Sequence, residues 1–218
     1  MPLPDHAVEP GAQAGDERVL RFTRAERLVH WTFAVLAFGC LFTAMALYVG
    51  PIATLVGRRA LLRSIHLTCG YLMLVPLLLG LLSRAFRADL RRLDRFGPDD
   101  ARWLRSQPAR RSGRLSVGKF NAGQKVAAAF VLGSVLVFLA TGMAMANLGG
   151  VWSLTVRTGS TLVHQWLAFA FGVVVVGHLR LALRDRHAMS GAITGWVPRS
   201  WARSEHPDWV VDDVPVSD

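Results

Sequence analysis

The sequence predicts an all-α integral membrane protein, a bundle of four spanning helices with both termini in the cytoplasm. Two compositional observations and one of charge placement predict it. The 218 residues are 52% apolar and only 18% charged, against about 25% charged in an ordinary soluble domain. Residues 31–49, 64–83, 126–156 and 158–179 contain no Asp, Glu, Lys or Arg, and each is long enough as a helix to cross a hydrocarbon core of about 30 Å. The runs are solidly apolar, whereas a transmembrane β-barrel alternates polarity over segments of about 10 residues.

Charge then orients the bundle. Of the 25 Lys and Arg, 21 fall on the N-terminal segment, the middle loop and the C-terminal segment, and 4 on the two opposite connections; all 15 Asp and Glu share the first side. The positive-inside rule makes that side cytoplasmic. The net charge of +10 accordingly reads as topology and contact with lipid headgroups, with no nucleic-acid role. The opposite face is short and nearly uncharged, with little room for a soluble catalytic domain.

Residues 1–18 form a tail rich in Pro, Gly and acid; without a basic n-region or an apolar h-region it is not a signal peptide. Residues 19–186 form the four-helix domain, entered by an interfacial approach over 19–27. The first helix is expected over 28–49, stopped by Gly50 and Pro51. The second, over 62–82, contains Pro76, which kinks it while neighbouring helices satisfy the freed carbonyl. The loop 84–119 carries the most charge, and its 85–103 portion predicts an amphipathic surface helix with Leu90, Leu93, Phe96 and Trp103 on the apolar side. The third and fourth helices are expected over 122–147 and 160–183. Residues 187–218, with Trp196, Trp201 and Trp209 among charges, predict an interfacial cytoplasmic foot. No internal repeat is apparent.

The chemistry resides in the histidines. His30, His66, His164 and His178 fall in or at the ends of the spanning helices, where ionisable side chains are costly and point to function. His30 and His178 lie near the cytoplasmic ends of the first and fourth helices; His66 and His164 lie near the outer starts of the second and fourth. These are two pairs at two depths. On the fourth helix a 14-residue separation is about 21 Å of rise and about 40° short of four turns, so both imidazoles share one face. One inward pair per leaflet suits two haems, each iron held axially by two imidazoles from facing helices. Packing or a proton relay are the alternatives for any single one of them. No Cys, Asp or Glu in the bundle completes a zinc or di-iron site. Covalent c-type haem is excluded by the lack of Cys-x-x-Cys-His, and Cys40 and Cys69 read as buried thiols. Gly39, Gly70, Gly80, Gly142 and Gly172 would let flat macrocycles approach the helices. Arg24, Arg27 and Arg180 near the inner pair, and Arg63 or Arg157 near the outer, are candidates for haem propionates. His6, His187 and His206 are expected to be solvated.

Arg27-Leu-Val-His30-Trp31-Thr32, Arg63-Ser-Ile-His66, Gly118-Lys-Phe-Asn121-Ala-Gly123-Gln124-Lys125, the pair His164 and His178, and Trp201-Ala-Arg-Ser-Glu-His206-Pro207-Asp-Trp209 together resemble the cytochrome b (gamma) subunits of respiratory formate dehydrogenases. The resemblance runs from about residue 21 to 209, and its most specific part is the Asn-Ala-Gly-Gln-Lys segment. It implies a dihaem cytochrome b, with His30 and His178 on the inner haem b and His66 and His164 on the outer. It also implies a quinone site, for menaquinone or ubiquinone, formed in part by Asn121, Gly123 and Gln124. The motif opens the third helix at the depth of His178 and offers amide donors, although Asn121 also suits a helix N-cap. The implied partners are an iron–sulfur (beta) subunit and, through it, a molybdenum- or tungsten-containing catalytic (alpha) subunit, assembled in the bacterial inner membrane as a trimer of heterotrimers. The chain itself holds no molybdenum or iron–sulfur ligand set, so it is expected to transfer electrons and not to oxidise formate.

A cytochrome b serving a hydrogenase or a thiosulfate reductase would need the same four histidines. A non-redox anchor or transporter would use them for packing or proton relay.

Overall fold

The computed structural model describes residues 17–105, 117–147 and 149–209. Most of the expected N-terminal tail with His6, part of the middle loop and the end of the C-terminal segment lie outside the described residues. Among the described residues, four helical spans are long and apolar enough to cross a membrane. They are α1 (Arg24–Tyr48), α3 (Arg59–Leu72) continued by α4 (Leu74–Gly80), α7 (Ala122–Ala146) and α8 (Leu154–Arg184). A short α2 (Gly50–Val56) joins α1 to α3.

The helix starts follow their caps. Helix α1 begins four residues before the expected 28 because Thr23 and Glu26 close a capping box: Glu26 Oε2 accepts the Thr23 N–H at 2.7 Å and Thr23 Oγ1 accepts the Glu26 N–H at 3.4 Å. Helix α8 likewise starts at Leu154, ahead of the expected 160, behind the Ser153 cap. Pro51 stops α1 but also opens α2, where its missing N–H costs nothing. The expected second helix is broken in two at Met73, three residues before Pro76. Pro76 leaves a carbonyl on the preceding turn without its usual N–H partner. The single surface helix expected over 85–103 is two, α5 (Arg84–Asp94) and α6 (Pro98–Arg105), because Gly97-Pro98 interrupts the helical ladder.

The spans form two hairpins. Helix α1 packs along α3 and α4, and α7 along α8; the hairpins meet mainly through α3 and α7. One buried residue from each span, Ala37, Met73, Val135 and Phe171, forms the central layer where they join. Outward-facing side chains stay apolar and exposed, Val35, Phe42, Leu162 and Phe169 among them, as lipid contact requires.

A second small core lies beyond the spans on the side carrying the termini. Strand β1 (Arg18–Leu20) pairs antiparallel with β2 (Trp196–Pro198), Val19 opposite Val197. Helices α9 (Arg186–Thr194) and α10 (Arg199–Glu205) flank β2. Gly195, at φ 92°, turns the chain so that its carbonyl accepts the Arg21 N–H at 2.7 Å; a Cβ there would fall 2.4 Å from the Phe22 carbonyl oxygen.

His206, expected to be solvated, is only 4% exposed. Its Nδ1–H donates to Gly118 O at 2.7 Å and its Nε2 accepts from Arg21 Nη2 at 3.0 Å. Arg21 is itself buried, donates to Lys119 O at 3.1 Å and lies over the Trp201, Phe22 and Trp209 rings. The reason is tertiary: β1 and β2 bring both ends of the chain against the segment that opens α7, and a neutral imidazole is the acceptor the guanidinium needs. His187 is partly exposed.

Burial, with the Arg21 charge next in weight, pushes His206 down to about 4. An unfolded histidine titrates near 6.5, so this group's contribution to stability is full above that pH and is lost as the pH falls toward 4. Lowering the pH from 7 to 4.5 is expected to loosen the foot by about 2–3 kcal/mol. Limited proteolysis of the 196–209 region in lipid nanodiscs should accelerate at least tenfold over that range, and His206→Gln should remove the acceleration.

Candidate functional site

The hairpin arrangement brings the four intramembrane histidines together as two pairs. His30 on α1 faces His178 on α8 with ring centroids 6.3 Å apart and an interplanar angle of 63°. His66 on α3 faces His164 on α8 at 6.2 Å and 61°. A metal–imidazole bond of about 2.0–2.1 Å on each side, plus about 1.1 Å from nitrogen to ring centre, separates two trans imidazole centroids by about 6.2–6.4 Å. Both pairs match that spacing. Among the described residues no three His, Cys, Asp or Glu side chains converge as a metal site. Two facing imidazoles per site would suit a metal ion whose remaining ligands come from a planar macrocycle.

Each far-side imidazole is held by a threonine that the sequence reading did not single out. His66 Nδ1 lies 3.0 Å from Thr43 Oγ1 and 3.2 Å from Cys40 O. His164 Nδ1 lies 2.8 Å from Thr141 Oγ1. Each threonine precedes its histidine by 23 residues, within Leu41-Phe-Thr43-Ala-Met45-Ala46 and Leu139-Ala-Thr141-Gly-Met143-Ala144. Contrary to expectation, then, the chain does carry an internal repeat: the hairpins share Leu-x-Thr-x-Met-Ala and a histidine at the same spacing. The repeat was hidden because the remaining apolar residues differ.

Between the two levels lies an aromatic layer. Phe138 stands 5.0 Å from the His164 ring and 5.6 Å from Phe171, which stands 6.5 Å from Phe130. The five glycines divide by role. A Cβ on Gly70 or Gly172 would meet nothing within 4 Å, and one on Gly142 would meet only His164 Cε1, at 3.7 Å; Gly70 and Gly172 border open space, and Gly142 lies beside His164. Gly39 and Gly80 instead permit close packing, against Cys69 Sγ and against Phe86 and Val29. On the far side, Arg157 Nε is buried and lacks a hydrogen-bond partner among the described residues.

Asn121 and Gln124 form the capping box of α7: each accepts the other's backbone N–H through its side-chain oxygen at 3.0 Å. Capping uses the carbonyl oxygens and leaves both amide NH2 groups as donors. Gly123 packs under Trp103, where a Cβ would fall 3.1 Å from the indole. Phe96, Trp103, Phe120, Asn121 and Lys125 line a cavity of about 300 Å³. Beside it, Lys119 is buried against the carboxylates of Glu26, 3.5 Å from its Nζ, and Asp89. Arg92 also reaches Asp89, at 2.7 Å. Burial and the neighbouring Glu26 carboxyl push Asp89 up to about 6.

A family described as prokaryotic cytochrome b561 matches residues 21–195. The formate dehydrogenase cytochrome b556 subunit of Haemophilus influenzae is 26% identical over 92% of this chain and 86% of its own length. The cytochrome b556(fdo) subunit of formate dehydrogenase from Escherichia coli K12 is 23% identical over 88% of this chain and 92% of its own. The nitrate-inducible counterpart of the same organism reaches 30% over 43% of this chain and 44% of its own length.

The buried ion cluster yields a stability test. Lys119→Met leaves Glu26 without its cation and Asp89 with only the more exposed Arg92, a loss expected to cost about 3–5 kcal/mol at pH 8. Asp89 titrates above the ordinary carboxylate range, so its contribution favours the folded state below about 4 and is lost as pH rises through 6. Thermal unfolding in nanodiscs should therefore show the deficit of Lys119→Met shrinking between pH 8 and pH 5; a deficit independent of pH would contradict this account.

Proposed function

The chain belongs to the prokaryotic cytochrome b561 family, and from that membership we propose that it is the dihaem electron-transfer subunit of a formate dehydrogenase-type complex in the bacterial inner membrane. The observation that carries the reading is the pair of facing imidazoles at each of two levels, 6.3 and 6.2 Å apart, with one member of each pair on α8. His30 and His178 hold the inner haem b; His66 and His164 hold the outer. Bound there, haem supplies one-electron redox chemistry. The full-length relatives named as formate dehydrogenase cytochrome b556 subunits support formate dehydrogenase as the complex.

The protein's own residues do the rest of the work. Facing imidazoles from opposite hairpins would hold the group between them and so tie the helices to one another. The layer of Ala37, Met73, Val135 and Phe171 fills the space between the two levels and excludes water from it. In this reading the termini are cytoplasmic, as the placement of 21 of 25 basic residues on their side favours. The far face receives electrons from an iron–sulfur subunit, itself served by a molybdenum- or tungsten-containing catalytic subunit. Quinone, menaquinone or ubiquinone, takes them up beside Asn121, Gly123 and Gln124. The two free amides offer donors to a quinone carbonyl, and Phe96, Trp103 and Phe120 offer aromatic walls. The complex assembles further as a trimer of heterotrimers.

Reduced-minus-oxidised spectra with pyridine haemochrome quantitation on the purified complex test the ligand set. Wild type should hold two b haems per chain, and His66→Ala and His178→Ala should each lose one; absence of haem, or no loss in either variant, would overturn the reading. The quinone role of Asn121 separates from its capping role in Asn121→Asp, because aspartate caps as well as asparagine but carries no amide donor. Thermal stability should stay within about 0.5 kcal/mol of wild type while quinone-linked reoxidation of the reduced cytochrome falls at least tenfold.

A further inference from the structure

We propose that Thr43 and Thr141 are positioning residues that lower the electron affinity of the outer haem relative to the inner one. The proposal rests on the dihaem reading above. Each threonine hydroxyl is aimed back along its own helix: Thr43 Oγ1 lies 2.6 Å from Gly39 O and 3.1 Å from Cys40 O, and Thr141 Oγ1 lies 2.6 Å from Val137 O and 3.3 Å from Phe138 O. A hydroxyl whose single proton goes to a carbonyl has only lone pairs left to offer. The imidazole Nδ1 facing it must then be the donor, at 3.0 Å for His66 and 2.8 Å for His164. The bond fixes the tautomer with hydrogen on Nδ1 and leaves the Nε2 lone pair free to bind iron.

Donation from Nδ1–H to a fixed acceptor enriches the ring in electron density and makes it a better ligand for the more highly charged metal. Both ligands of the outer site have this support, and both obtain it from a threonine at the same point of the repeat. The inner pair is built otherwise: among the described residues neither His30 nor His178 makes a hydrogen bond, and positions 128 and 80, where the repeat would place their counterparts, are Ala and Gly. The outer site is thereby biased toward its oxidised form relative to the inner. That is the direction needed to pass an electron toward the side on which Asn121 lies.

The two threonines differ in one respect that the test exploits. Without Thr43 the His66 Nδ1–H still has Cys40 O at 3.2 Å, whereas His164 has no second acceptor among the described residues. Potentiometric titration of the b-haem absorbance in the purified complex should resolve two one-electron components, and His66→Ala identifies the outer one. Thr141→Val should raise the outer midpoint by on the order of 59 mV, the equivalent of a tenfold shift in preference between oxidation states. Thr43→Val should raise it less, Thr141→Ser should restore it, and the inner midpoint should stay in place throughout. Unmoved midpoints in both valine variants with two haems bound, or equal shifts of both components, would overturn the proposal. Should Thr141→Val lose the outer haem, Thr43→Val carries the same test. Absence of haem from wild type would instead overturn the dihaem reading.

Discussion

Four imidazoles set inside apolar spans are the constraint around which this molecule is organised. An ionisable side chain pointed at lipid is costly, and the least costly arrangement turns it inward toward a partner of its own kind. Helix α8 carries two such groups 14 residues apart on one face, so it must present that face along its length to the opposite hairpin. His30 on α1 and His66 on α3 answer it at two levels. The hairpins accordingly pack tightly within themselves and more loosely across the histidine levels, with the Ala37, Met73, Val135 and Phe171 layer joining them in between.

The foot on the terminal side solves a different problem. Lys119, Glu26 and Asp89 are buried charges, tolerable only because each finds a partner. Arg21 is buried as well: its Nη2 meets a carbonyl and a neutral histidine and its charge lies over aromatic faces, while its Nε has no hydrogen-bond partner among the described residues. All these contacts converge on residues 117–120, immediately before the Asn121 cap. The β1–β2 pairing and the Arg21–His206 contact therefore hold the start of α7 by the polypeptide on either side of the bundle. In the proposed function that segment is one wall of the quinone site, so the foot has a positional role beyond closing the fold.

The internal repeat gives the His66–His164 site an economy that the His30–His178 site lacks. Equivalent threonines and histidines in the two hairpins build a nearly symmetric pair, while the His30–His178 pair combines the start of α1 with the end of α8 and has no counterpart in the repeat. One helix fold thus carries two sites of similar ring spacing and different surroundings.

Much of this was legible in the amino-acid order. Uncharged runs of about 20 residues declare spanning helices because a bilayer core demands that length. Basic residues collected on alternate connections rank the two sides. Histidines at matched depth and phase identify the pairs, since helical rise and rotation are fixed. The break at Met73, the Gly97-Pro98 interruption and the early cap at Thr23 were written in local signals but shifted the expected boundaries, because caps and prolines act on backbone groups that hydropathy does not register. Other features arose only from long-range contact. Thr43 and Thr141 touch their histidines across a hairpin while also bonding to their own helices, and nothing in a threonine within an apolar run reveals the second contact. Arg21 and His206 lie 185 residues apart, and each alone reads as a solvated side chain. Sequence by itself determined the spans, their relative sides and the depth of the histidines, because a helix in a membrane has few degrees of freedom. Which polar groups face one another was decided by tertiary structure, because a buried donor takes whatever acceptor the packing of distant segments brings within 3 Å.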